Sequence, residues 1–68
     1  MKKVKFEDVP VGRMFYFNVM DGIGKNHRFM KVRDAFHADK KINAVWMTKE
    51  RGLLCHFNTD SIVELEGE

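Results

Sequence analysis

Sixty-eight residues leave room for one domain with one core, because a chain this short buries only about 60% of the surface its unfolded form exposes. With 44% hydrophobic and 32% charged residues, six Phe, one Trp, one Tyr and five Met, it carries too much large apolar surface to stay disordered. The single cysteine, Cys55, excludes an internal disulfide and a multi-cysteine zinc cage, and a net charge of +2 selects no partner by itself.

The opening Met1-Lys2-Lys3-Val4-Lys5 has the positive flank of a signal peptide but runs into Glu7 and Asp8 instead of an apolar stretch. No segment approaches the roughly 18 apolar residues of a membrane span. The expectation is a cytoplasmic protein, neither exported by that route nor inserted, in a reducing setting that suits its lone thiol.

Phe6-Glu7-Asp8-Val9-Pro10-Val11-Gly12 reads as an irregular lead-in that packs Phe6, Val9 and Val11 and turns at Gly12. Residues 13 to 20 are the clearest strand: period two sets Phe15, Phe17 and Val19 on one face, with Met14, Tyr16, Asn18 and Met20 on the other. Asp21 to Asn26 is a loop with two glycines. A second strand runs from about His27 to Asp34, with Met30 and Val32 expected to face the core and Phe29, Lys31 and Arg33 to face water. Asp34 to Lys41 is open between a short helix capped by Asp34 and a bulged strand end with a polar loop. Ile42 to Thr48 is a third strand, Lys49 to Gly52 a polar hairpin connection and Leu53 to Phe57 a fourth strand. Asn58 to Ser61 makes a turn, and Ile62 to Glu66 is the fifth strand.

Five short strands with almost no helical periodicity predict an all-β domain over residues 1 to 68. A small five-stranded SH3-like barrel suits these lengths and removes exposed edges; an OB-fold needs longer strands and a helix.

The lead-in, the aromatic strand, Lys31-Val32-Arg33-Asp34 and Phe57-Asn58-Thr59-Asp60-Ser61-Ile62-Val63-Glu64 together resemble short uncharacterised proteins encoded in phage and prophage genomes. The resemblance covers most of the chain through turn and strand features. It implies a small β-barrel from a phage or prophage gene and carries over no catalytic residue.

Two binding chemistries compete. Met14, Met20, Met30 and Met47, with Tyr16, Phe36 and Trp46, exceed what one face of a tiny core can bury, which predicts a protein partner or self-association through an aromatic and methionine-lined face. The alternative uses the middle of the chain, where six basic residues (Lys25, Arg28, Lys31, Arg33, Lys40, Lys41) face two acidic ones (Asp34, Asp39), a local balance of +4. There, Lys31 and Arg33 beside Phe29, with Tyr16 and Trp46, could meet phosphates and stack unpaired bases. The tail is acidic, with Asp60, Glu64, Glu66 and Glu68 and no base. The candidate partner-binding residues are therefore Tyr16, Phe29, Lys31, Arg33, Phe36, Lys40, Lys41 and Trp46.

Catalysis is not expected. Cys55 and His56 are neighbours on an extended segment, so their side chains diverge, and Cys55 reads as a small apolar residue. His27, His37 and His56 lack metal-ligand spacing, and Glu7 with Asp8, or Glu64 with Glu66, read as solvated surface. No cofactor, metal, membrane or small-molecule substrate is expected.

Overall fold

A computed structural model describes residues 2–18, 26–48 and 51–67. In chain order the elements are β1 (Lys2–Lys5), a one-turn 3₁₀ helix (Phe6–Asp8), β2 (Met14–Asn18), β3 (Asn26–His37), β4 (Lys40–Met47), β5 (Gly52–Cys55) and β6 (Ile62–Leu65). All six strands pair antiparallel in one open sheet of order β1-β6-β2-β3-β4-β5. The mainly-β reading holds, with six strands among the described residues in place of the five expected. The added strand is β1, whose Val4 pairs with Val63 while Lys2, Lys3 and Lys5 flank it. One valine among lysines leaves no alternating apolar signal, so pairing with β6 alone makes this segment a strand.

The lead-in is organised by backbone bonds. The 3₁₀ helix is pinned to the β5–β6 connection by Phe6 N–H to Ser61 O (2.8 Å) and Glu7 N–H to Thr59 O (3.1 Å). Phe6 and Val9 are buried as expected, but Val11 is exposed. The expected turn at Gly12 is present: its φ of 90° is a left-handed value that favours glycine, and its N–H reaches Lys31 O at 2.8 Å.

Residues 34–41 resolve as a bulged hairpin, not a helix. The β3–β4 ladder pairs Lys31 with Ala44, shifts register, and resumes at Ala35 with Ile42, running to His37 with Lys40. Ala38 (φ 51°) and Asp39 (φ 64°) close it as a two-residue turn with both residues left-handed, the geometry that matches strand twist in a tight hairpin. Alanine carries no signal for that conformation, so the turn was hidden in the sequence.

The strand phase of β3 is opposite to the expectation. Phe29 is 2% exposed and sits between Phe15 on β2 and Trp46 on β4, whereas Met30 lies on the outer face between Met14 and Val45. A period-two pattern with apolar groups in both phases is settled by which set meets the bulkier cross-strand neighbours. Phe15 and Val63 are buried and Phe17 packs against the core, but Val32, expected to face the core, lies inside the register shift, half-buried and outside the core cluster. Val19, Met20 and the Asp21 to Lys25 part of the glycine loop lie outside the described residues, as do Lys49 and Glu50.

The core is a set of phenylalanine rings held on the inner side of the sheet. Phe57 is its hub: its ring stacks on Phe6 (5.2 Å between centroids) and meets Phe15 (5.2 Å), Phe17 (5.1 Å) and Phe29 (5.0 Å) edge-on. Phe57 lies beyond the end of β5, which stops at Cys55, so the ladder does not hold its backbone. The buried Asn43 does: its amide donates to Phe57 O (2.9 Å) and its carbonyl accepts from Phe57 N–H (2.8 Å).

Candidate functional site

Alternation along β2 to β5 gives the sheet two chemically different sides. The inner side carries Phe15, Phe29 and Trp46, and the cation expected to face water, Lys31, turns there too. Its ammonium lies 4.7 Å from the Phe6 ring centroid and donates to Phe6 O (3.0 Å) and Glu7 O (3.3 Å), so it caps the 3₁₀ helix. Near the open end of this side, Phe17, Phe29, Trp46, Cys55, His56 and Phe57 line a shallow cleft of about 310 Å³. Trp46 is half-buried there, stacked on Phe29 (5.6 Å) and met edge-on by His27 (5.0 Å).

The outer side joins a polar clamp to an apolar row. The Glu66 carboxylate accepts from the Tyr16 hydroxyl and from the Arg28 guanidinium, both at 2.9 Å, while Arg13 donates to the Glu66 backbone oxygen at 2.9 Å. Arg28 chiefly, with Tyr16, holds the Glu66 carboxyl below the ordinary glutamate range. The bond to Glu66 pushes the Tyr16 phenol above its ordinary value. Beside this clamp, Met14 pairs with Met30, Met30 with Val45, and Val45 with Leu54, so four apolar side chains lie in one line across β2, β3, β4 and β5. The first three are half-buried and Leu54, on the outermost strand, is 48% exposed.

The eight candidate residues therefore do not form one patch. Phe29 is in the core and cannot meet a partner directly, which corrects its assignment as a surface aromatic. Trp46 belongs to the inner side and Tyr16 to the outer, so the expected aromatic and methionine-lined face is split by the sheet itself. Arg33 is exposed at the bulge, while Phe36, Lys40 and Lys41 lie on the hairpin arm beyond it, Phe36 77% exposed and Lys41 3.5 Å from Asp34. Missed in the sequence were Val45 and Leu54. The strand itself was expected, and its chargeless run Gly52-Leu53-Leu54-Cys55 was the signal that could have marked Leu54 as a binding candidate.

Cys55 is half-buried; its thiol donates to Ala44 O (3.5 Å) and burial raises its pKa. Among the described residues no group of three His, Cys, Asp or Glu side chains is placed to hold a metal ion, and no helix is long and apolar enough to cross a membrane. Comparison with protein-family models, with curated proteins and with solved structures finds no match for this chain.

Proposed function

We propose that this chain is a small non-enzymatic binding protein that engages a protein partner through the outer face of its sheet. One observation carries the reading: the unbroken line of Met14, Met30, Val45 and Leu54 across four strands. Contiguous apolar side chains on a sheet's outer face gain by being covered, and methionine adapts its shape to whatever covers it. The same reading takes β2 to β6 as the strands of an SH3-like barrel left open at β5, with β1 added outside β6, and draws its phage or prophage origin from the sequence resemblance. Nucleic-acid binding through residues 25–41 has less support, because three of that segment's cations are dispersed and engaged. Arg28 is held by Glu66, Lys31 by the carbonyls of Phe6 and Glu7, and Lys41 faces Asp34.

The test is a paired capture from host extract with wild-type protein and the Met30→Glu variant, after thermal unfolding has shown that both are folded. A stoichiometric protein retained by the wild type and lost by Met30→Glu is the expected result. Equal retention by both sinks the outer face as the contact. Tight, steeply salt-dependent binding of single-stranded or duplex oligonucleotides would favour the basic segment instead.

A further inference from the structure

The two outermost strands of the sheet are treated differently by the sequence. β1 presents Lys2, Lys3 and Lys5, the kind of charge that discourages edge pairing, whereas β5 is Gly52-Leu53-Leu54-Cys55 with no charge in the strand. Among the described residues β5 pairs only with β4. The β4–β5 hairpin closes with Thr48 N–H bonded to Arg51 O (3.1 Å), and antiparallel ladders alternate between bonded and non-bonded pairs. Counting from that closure, Leu53 and Cys55 direct their backbone groups to β4. Gly52 and Leu54 direct theirs away from the sheet.

We infer that the chain also pairs with a second copy of itself, joined antiparallel through β5 to β5. This goes beyond the protein-binding reading above: it uses the edge of β5 and leaves the outer face uncovered. In the register that sets Leu53 opposite its own copy, Gly52 of each chain exchanges backbone bonds with Leu54 of the other. On the outer face the exposed Leu54 side chain then lies across from a residue that has none. Gly52 is bare for a reason visible within one chain: a Cβ there would sit 2.6 Å from Val45 Cγ1. On the inner side the two Leu53 side chains meet as a close non-bonded pair. Arg51 falls opposite Cys55 of the copy, which keeps the two arginines apart. The apolar line then runs from Met14 of one chain through both Leu54 residues to Met14 of the other, as one surface. The symmetry closes after two copies, because each chain offers one such edge.

Sedimentation of the wild type over a concentration series tests this, with the average mass expected to rise from the 8.0 kDa chain toward twice that value. Leu54→Pro removes a donor that points away from β4, so the hairpin keeps its ladder and the variant is expected to stay at the mass of one chain. Should that variant fail to fold, cysteine crosslinking in a Cys55→Ser background reports the register. Leu53→Cys is expected to form the disulfide-linked dimer, while Ile62→Cys, exposed on β6, is not. A chain that remains monomeric throughout, or crosslinks no better at position 53 than at 62, overturns the pairing without touching the Met30→Glu test. A dimer abolished by Met30→Glu but untouched by Leu54→Pro also overturns it, and places the contact on the outer face.

Discussion

The side chain of Asn43 bonds both backbone groups of Phe57, acting as a piece of β-ladder where the strand has ended. That contact lets a residue outside any strand carry the central ring of the core. Replacing Asn43 with Ala leaves a buried N–H and a buried C=O unpaired, so a loss of about 2–4 kcal/mol is expected. Asn43→Asp keeps the acceptor but cannot donate to Phe57 O, and should also destabilise. Urea denaturation of the two variants checks this; midpoints unchanged from wild type would show that the clamp is dispensable.

Tyr16 is the only tyrosine, so tyrosinate absorbance reports on it alone. Its phenol is held protonated by the bond to Glu66, so it should ionise at higher pH than a free tyrosine, and Glu66→Gln should move the transition back down. The raised phenol pKa contributes stability that is complete below about pH 10 and disappears as pH climbs through the folded value. The lowered Glu66 pKa works in the other direction. Its contribution is present above the unfolded value, about 4.3, and is lost as pH falls through the folded one. Both groups are solvated, so salt should weaken the two effects. A Tyr16 titration identical in wild type and Glu66→Gln would dissolve the clamp.

The hairpin turn at Ala38 and Asp39 uses two left-handed residues, and each bears a steric cost for its Cβ, which aspartate tolerates better than alanine. The double change Ala38→Asn with Asp39→Gly installs the pair best suited to that geometry and should stabilise by about 1 kcal/mol. Thermal unfolding measures it. A lower midpoint would mean that the turn is not of this type.

Cys55 is the only thiol and is half-buried against Ala44. Burial raises its pKa, so less of it is thiolate at pH 8 and access is reduced, and a disulfide reagent should label the folded protein several-fold more slowly than the urea-unfolded chain. Equal rates in the two states would place the side chain in open solvent.

Much of the architecture was legible because period-two alternation and turn residues are local signals. The Phe15 and Phe17 face of β2, the turn at Gly12 and the extended segments from β2 to β6 followed from neighbours in sequence, whereas the pairing of β6 with β1 and β2 instead of β5 did not. Where both phases of a strand were apolar, as in β3, the local signal was degenerate, and the opposing Phe15 and Trp46 chose Phe29 for the core. The candidate site suffered for that reason: a flip of one strand moved Phe29 and Lys31 inward and brought Met30 out beside Met14.

By itself the sequence determined that the chain is one β domain with an aromatic core and no internal disulfide, since these depend on composition and on spacing between near neighbours. Only the tertiary structure decided that Lys2 to Lys5 is a strand, that Phe57 is the hub of the rings, and that one outermost strand is guarded by lysines while the other is bare. The first two hang on partners distant in sequence, Val63 and Asn43, and the third on which strands end at the sheet's edges, and no local pattern encodes either.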